Sequence, residues 1–235
     1  MNHKLLARRE WLKQVGAAAA VPPKLLLPLI SPARDSAPSL AQSAAAPALP
    51  ATETLTAAEG ETLAAIAARL IPTDASGPGA TEAGAARYID RALGGALSSF
   101  RETYRAGLAA VDRHARATKG SPFARLSSSD QDAVLGDIER NAATGFATDA
   151  AAFFNLVLAH TIQGTFCDPH YGGNAGFAGW DLIGYPGVRL AVTAGEQTLT
   201  ARPAPTHMSA YDYRMFSGHR PARAALAEKG DHHGG

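Results

Sequence analysis

From Leu55 onward the chain reads as a succession of apolar stripes at helical spacing, broken by glycine, proline and short polar caps. In "LTAAEGETLAAIAARLIPTD", Leu63, Ile66 and Leu70 fall on one helical face, Thr56 and Glu59 stand at the spacing of a capping box, and Pro72 ends the run. After the Gly/Pro loop "TDASGPGA", the segments "TEAGAARYIDRALGG" and "SSFRETYRAGLAAVDRHARATKG" predict a helical hairpin or a kinked pair. The second has Phe100, Tyr104, Leu108 and Val111 on one face. "LSSSDQDAVLGDIERN" sets Ser128 and Gln131 at capping-box spacing ahead of Val134, Leu135 and Ile138. "TDAAAFFNLVLAHTIQGTF" carries Phe153, Phe154, Val157, Leu158 and Ile162 almost all round, the pattern of a central core helix. No run alternates with period two, and no hairpin signal joins two strand-like runs. The expected fold class is mainly α, an irregular bundle of about five helices followed by a Gly/aromatic-rich loop and a short helix.

The pattern changes character toward the N-terminus. "ARREWLKQVGAAAA" places Arg8 and Arg9, one spacer, then Trp11, Leu12 and Lys13 ahead of an apolar stretch, which is the order of a twin-arginine export signal. The apolar stretch from Val15 to Ile30 is interrupted by Pro22, Pro23, Lys24 and Pro28, so it does not provide the roughly 20 uninterrupted apolar residues of a membrane-spanning helix. It reads as the hydrophobic region of a signal. The Pro/Ala/Ser segment that follows is too poor in buriable side chains to offset its ordering entropy, and is expected to be disordered or extended. The chain thus divides into a signal and linker over 1–46, a helical domain over 47–190 and an extension over 191–235 with a disordered end. The small residues Ala44 to Ala46 offer a region for signal cleavage.

With 235 residues, 46% of them hydrophobic, the chain is long enough for one sizeable core. Its 22 basic and 21 acidic side chains nearly cancel, which gives no electrostatic reason to expect a nucleic-acid partner. Loss of residues 1–46 removes Lys4, Arg8, Arg9, Lys13, Lys24 and Arg34 but only Glu10 and Asp35, leaving a mildly acidic domain. One cysteine excludes an internal disulfide and any multi-cysteine metal site built by this chain alone. The sequence has no Gly-x-Gly-x-x-Gly behind a strand, no Cys-x-x-Cys-His, and no P-loop, His-Glu-x-x-His or Gly-x-Ser-x-Gly pattern. No cofactor site is therefore expected in this chain.

The candidate chemistry concentrates in "TFCDPHYGGNAGFAGWDLIGYPG", residues 165 to 187. Asp168 before Pro169 should end the preceding helix. Gly172 and Gly173 permit positive φ for a tight reversal, and Asn174 is a good N-cap for a short helix over "AGFAGWDLI". Gly184 can take the left-handed position that closes that helix, with Pro186 preventing continuation. Trp180 and Tyr185 are then the residue pair that touches in a Schellman motif. Phe166, Tyr171, Phe177, Trp180 and Tyr185 either plug the end of the bundle or face outward as partner anchors, and the residues alone leave both readings open. Cys167 and His170 have the right types for a metal pair but lack the remaining ligands of a tetrahedral site. His160, on the apolar helix, reads as a core histidine bonded to backbone, and His232 and His233 as a solvated tail with adventitious metal affinity only.

The stretch "FCDPHYGGNAGFAGWDLIGYPG" resembles the signature of the gluconate 2-dehydrogenase subunit 3 family, in which F-x-D-P-x-Y-G-G-N, a G-W step and I-G-[FY]-P-G follow a long helix. "EAGAARYIDRAL", "LSSSDQDAVLGDIE" and the twin-arginine start resemble the family too, so that the likeness extends over residues 1 to 190. Cys167, where the family often has a small residue such as Ala, and the C-terminal "THMSAYDYRMFSGHR" depart from it.

The resemblance implies a non-catalytic small (gamma) subunit of a periplasmic, membrane-associated dehydrogenase of sugars, polyols or sugar acids. Its large partner would be an FAD-dependent subunit of the glucose-methanol-choline class, with a multihaem cytochrome c as third subunit where present. The small subunit would assist maturation of the flavoprotein and carry it through the twin-arginine translocase as a hitch-hiker. No catalytic, cofactor or metal residue is then expected here. The expected partner-binding residues are Phe166, Asp168, Tyr171, Gly172, Gly173, Asn174, Trp180, Tyr185 and Pro186. The competing expectation is an autonomous periplasmic metal-binding or enzymatic protein using Cys167, Asp168 and His170, and a further one pairs Cys167 with a partner cysteine in an oxidising compartment.

Overall fold

The computed structural model describes residues 52–147 and 149–217, all within a compact unit, Pro47–Gly235. The export-signal residues Arg8, Arg9, Trp11, Leu12 and Lys13, the linker, and His232 and His233 lie outside the described residues. The described residues form seven α-helices and no β-strand, the mainly helical class that the apolar periodicity predicts, with the short Arg214–Ser217 helix beyond the five or so helices and one short helix expected. Among them no helix is long and apolar enough to cross a membrane.

Helix α1, Ala57–Leu70, starts at the predicted capping box. The Thr56 hydroxyl accepts from the Glu59 N–H at 3.3 Å, and the Glu59 carboxylate accepts from the Thr56 N–H at 2.8 Å. The helix buries Leu63, Ile66 and Ala67. Ahead of it, the buried Asp90 carboxylate accepts from the backbone N–H groups of Glu53, Thr54 and Leu55 at 2.5, 3.1 and 2.8 Å, tying the start of the domain to the next helix. That next helix, α2 (Ala85–Leu93), runs through a 3-10 turn at Ser98–Phe100 into α3 (Arg101–Lys119). Arg101 folds back so that its guanidinium donates to the Leu93 carbonyl, satisfying an end of α2 that would otherwise lack a partner.

Helix α4 spans Ser128–Glu139, but its cap is Ser127, whose hydroxyl accepts from the Asp130 N–H at 3.2 Å. The expected Ser128–Gln131 box does not form. Gln131 is buried and donates its amide to the Phe123 carbonyl at 3.1 Å, holding a 3-10 turn, Phe123–Arg125, that drives the Phe123 ring into the core. The tertiary demand for Phe123 thus decides which serine of the run becomes the cap.

Helix α5, Ala150–Phe166, packs against α1, α2, α3 and α4 and is the central helix of the bundle. Its inner face buries Phe153, Val157, His160, Thr161 and Gly164, while Ile162 points outward, so it is not apolar to the core on every side. His160 shares a 2.9 Å hydrogen bond with the buried Tyr104 hydroxyl, not with backbone as expected. The core joins Leu63, Ile66, Ile89, Leu93, Tyr104, Leu108, Phe123, Val134, Ile138, Phe153 and Val157 into one cluster. After α5 come the short helices α6 (Ala178–Ile183) and α7 (Arg214–Ser217), and an irregular segment between them that folds back over the end of α5.

Candidate functional site

Residues 167 to 187 form a loop whose shape rests on one side chain, Asn174. It is fully buried and in the left-handed region, with φ 46°. Its amide donates to the Cys167 carbonyl at 2.9 Å, and its side-chain oxygen accepts from the Gly179 N–H at 2.8 Å and the Trp180 N–H at 3.4 Å. Its own N–H donates to the Gly164 carbonyl at 2.8 Å. One residue thus closes the C-terminus of α5 and caps the N-terminus of α6. The helix it caps begins later than expected, because a 3-10 turn at Ala175–Phe177 intervenes, with Gly176 and Phe177 at φ 60° and 63°. Phe177 holds a backbone conformation that costs a non-glycine residue about 1 kcal/mol, and its ring is stabilised between Trp180 and His207, with centroids at 5.3 and 4.8 Å.

The two glycines of "YGGN" divide the work differently from expectation. Gly172 takes positive φ, 90°, at the end of the Pro169–Tyr171 turn. Gly173 does not, and is required by packing instead: a Cβ there would stand 2.2 Å from the Gly164 carbonyl oxygen.

Helix α6 ends as predicted. Gly184 is left-handed with φ 67°, its N–H donates to the Asp181 carbonyl at 3.1 Å, and the Tyr185 N–H reaches the Trp180 carbonyl at 2.8 Å, the bonding of a Schellman motif. The Trp180 and Tyr185 rings touch edge to face. Of the residues expected to meet a partner, Gly173, Asn174 and Trp180 are buried within this chain, the Trp180 indole N–H donating to the Phe166 carbonyl at 3.0 Å. Phe166, Asp168, Gly172 and Pro186 are half-buried, and Tyr171 (56% exposed) and Tyr185 face outward, joined there by Ile183 (58% exposed). The rings therefore serve both purposes considered from the sequence, plug and outward surface.

The extension supplies what sequence reasoning missed. Residues 206 to 213 run back along the loop as a strap, with the Thr206 N–H on the Pro186 carbonyl (2.7 Å), the Val188 N–H on the Met208 carbonyl (2.8 Å) and the Tyr213 hydroxyl on the Val188 carbonyl (2.8 Å). His207 bonds Asp181 at 2.7 Å. The centre of the strap is a capping box, Ser209 with Asp212, that presents itself to Asp168. Asp168 Oδ1 accepts from the His170 N–H at 2.9 Å and from the Ser209 hydroxyl at 2.7 Å, and Oδ2 accepts from the Ala210 N–H at 2.9 Å. The Tyr211 ring stacks on His170 at 3.6 Å, and its hydroxyl shares a 2.9 Å hydrogen bond with that of Tyr171. Between loop and strap lies a cavity of about 440 Å³ lined by Asp168, Tyr171, Ala210, Tyr211 and Phe216. The Ser-x-x-Asp spacing of "SAYD" was the available signal for the strap's turn.

Cys167, Asp168 and His170, weighed as a metal site, do not converge. Asp168 is engaged by the three donors above, the His170 ring lies flat on Tyr211, and burial pushes the Cys167 thiol above its ordinary pKa, away from the thiolate a metal or electrophile needs. Among the described residues no group of three or more His, Cys, Asp or Glu side chains could hold a metal ion.

A family model described as gluconate 2-dehydrogenase subunit 3 matches residues 57–187, from the first residue of α1 to the end of the signature loop, more than half of the chain. The strap lies beyond that match. No curated protein and no solved structure shows a significant match. On the length of the family match and the "DPHYGGN" and "IGYPG" turns it includes, the chain belongs to the gluconate 2-dehydrogenase subunit 3 family, small subunits of a multi-subunit dehydrogenase.

Proposed function

We propose that this chain is the non-catalytic small subunit of a periplasmic, membrane-associated, FAD-dependent dehydrogenase of sugars, polyols or sugar acids. It binds the large flavoprotein, assists its maturation and carries it across the inner membrane on its own twin-arginine signal, Arg8 and Arg9. FAD belongs to the large subunit, and haem c, where present, to a third. Besides family membership, the observation that supports this reading is the construction of the signature loop. Asn174, Gly173 and Trp180 lock it from inside while Tyr171, Ile183 and Tyr185 stay outside. An apolar, aromatic surface on a loop that is already ordered loses little entropy on binding, which suits a permanent protein partner.

Co-expression with the large subunit tests it. With this chain present the large subunit should reach the periplasm loaded with flavin, and without it the large subunit should stay in the cytoplasm with low flavin content. Changing Arg8 and Arg9 to Lys should strand both proteins. Equal flavin loading and equal export in all three strains would overturn the proposal.

A further inference from the structure

We infer that the cavity between the signature loop and the strap is an anchor site for an arginine side chain of the large dehydrogenase subunit, whose guanidinium would lie against Tyr171, Tyr211 and Phe216 with Asp168 as its counter-ion. The inference rests on the proposed function for the identity of the partner, and on the cavity itself for the chemistry of what enters.

The charge is the first ground. Asp168 makes no ion pair among the described residues, and its three hydrogen bonds come from neutral donors, the His170 and Ala210 N–H groups and the Ser209 hydroxyl. Neutral donors orient a carboxylate and leave its full negative charge in place. An ionised carboxylate offers about four acceptor positions. Oδ1 has two occupants and Oδ2 only one, so an acceptor position remains on a group that lines the cavity.

The walls are the second ground. Among the described residues the lining carries three aromatic side chains and no basic one. The faces of Tyr and Phe rings attract cations, most strongly where water is thinned out. The Tyr171 and Tyr211 rings stand perpendicular, at 89°, with their hydroxyls joined, a fixed corner that offers phenol oxygens as further acceptors. Such a lining repels an anion and offers a neutral polar group little to accept from, since the Ala210 N–H is already taken and only one phenol O–H is left over from the Tyr171–Tyr211 bond. Between the two protein cations, a planar guanidinium stacks on rings, is less strongly hydrated and can bond a carboxylate edge while doing so, whereas an ammonium can only point. At about 440 Å³ the space accommodates the guanidinium with part of its stem.

The provenance of the walls adds specificity. Asp168 and Tyr171 lie inside the family match, whereas Ala210, Tyr211 and Phe216 lie beyond its end at residue 187. The cavity therefore exists only where the strap does, so the anchor tells this subunit's own partner from the large subunits of related complexes that lack a matching arginine.

The probe is N-acetyl-L-arginine methylamide, titrated into the full chain and followed by the amide resonance of Ala210 and by tyrosine fluorescence. Saturable binding in the millimolar range is expected, at least about tenfold weaker in Phe216→Ala, a half-exposed position whose truncation leaves the core intact, and lost in Asp168→Asn. N-acetyl-L-norleucine methylamide should not bind. The same Phe216→Ala change should weaken binding of the large subunit about tenfold, and Phe216→Arg, which offers the cavity a cation of its own, should weaken it further. No saturation by the arginine probe, or equal affinity of wild type and both variants for it, overturns the site. Probe binding together with undiminished affinity of Phe216→Ala for the large subunit overturns the occupant. If the large subunit fails to bind even the wild-type chain, the proposed function falls and takes the occupant with it, while the probe still decides whether the cavity selects guanidinium.

Discussion

Trp180 and Tyr185 meet edge to face across the end of α6, with ring centroids 4.8 Å apart and planes at 80°. The contact accompanies a complete Schellman motif on a helix of six residues, too short to stand on its own propensity. Truncation by Tyr185→Ala should cost about 1 kcal/mol, the worth of an aromatic pair at a partly exposed position. Tyr185→Phe should be neutral, since its hydroxyl has no hydrogen bond among the described residues. Urea unfolding of both variants checks this, and an equal loss in the two would mean that the hydroxyl, not the ring, matters.

Gly179 is held tighter than any turn glycine of the loop. A Cβ there would lie 1.9 Å from the Thr165 carbonyl oxygen, a backbone atom that cannot move without breaking the end of α5. Gly179→Ala should therefore cost about 3 kcal/mol or more, because overpacking against backbone forces the chain apart. Gly176→Ala meets no atom within 4 Å and bears only the left-handed backbone at φ 60°, so its cost should stay near 1 kcal/mol. Similar melting points for the two variants would contradict the distinction between crowding and backbone strain.

What could be read ahead of the structure was what lies close along the chain. The Thr56–Glu59 box and the Trp180–Tyr185 contact join residues three and five apart, and local rules found both. In "LSSSD" the capping-box spacing pointed to Ser128, and the cap falls on Ser127 instead because of the burial of Phe123 and the reach of Gln131, which no local rule contains. Asn174 was legible as a cap, but not as the residue that binds the end of one helix and the start of the next at once. The strap was out of reach for the same reason. Its bonds to Asp168 cross 41 and 42 residues, and it has neither helical nor strand periodicity to announce it.

Asp90 fixes the point at which the domain begins. Its buried carboxylate accepts three backbone N–H groups, those of Glu53, Thr54 and Leu55. Asp90→Ala leaves these donors without an acceptor, at a cost of about 3 kcal/mol, with Asp90→Asn intermediate because an amide oxygen replaces only part of a carboxylate. Hydrogen exchange should localise the effect: the Leu55 amide loses its protection in the Ala variant, while amides in the middle of α5 change only with global stability. Unchanged protection at Leu55 would remove Asp90 from this role.

Thr161 offers the opposite sign. Its hydroxyl is buried and has no hydrogen-bond partner among the described residues, while its backbone carbonyl accepts from the Thr165 hydroxyl at 2.8 Å. Thr161→Val keeps the shape, leaves that carbonyl bond in place and removes a desolvated polar group, so it should raise stability by about 1 kcal/mol. A loss of stability on this substitution would show that the hydroxyl has a partner, such as a buried water.

His160 makes the domain sensitive to acid. Buried against Tyr104, with the partly exposed Phe100 at its edge, its ring is held by burial below the ordinary pKa of 6.5. In the unfolded chain the same ring takes up a proton near pH 6.5, so below that value the unfolded state binds more protons than the folded one. Stability should accordingly be level above about pH 6.5 and fall as the pH drops below it, until the folded ring titrates as well. His160→Asn places an amide near the position of Nδ1, retains a partner for the Tyr104 hydroxyl and cannot take up the proton. Urea unfolding between pH 5 and 7.5 should show a shallower slope in this variant than in wild type. Parallel slopes would assign the acid sensitivity to other groups.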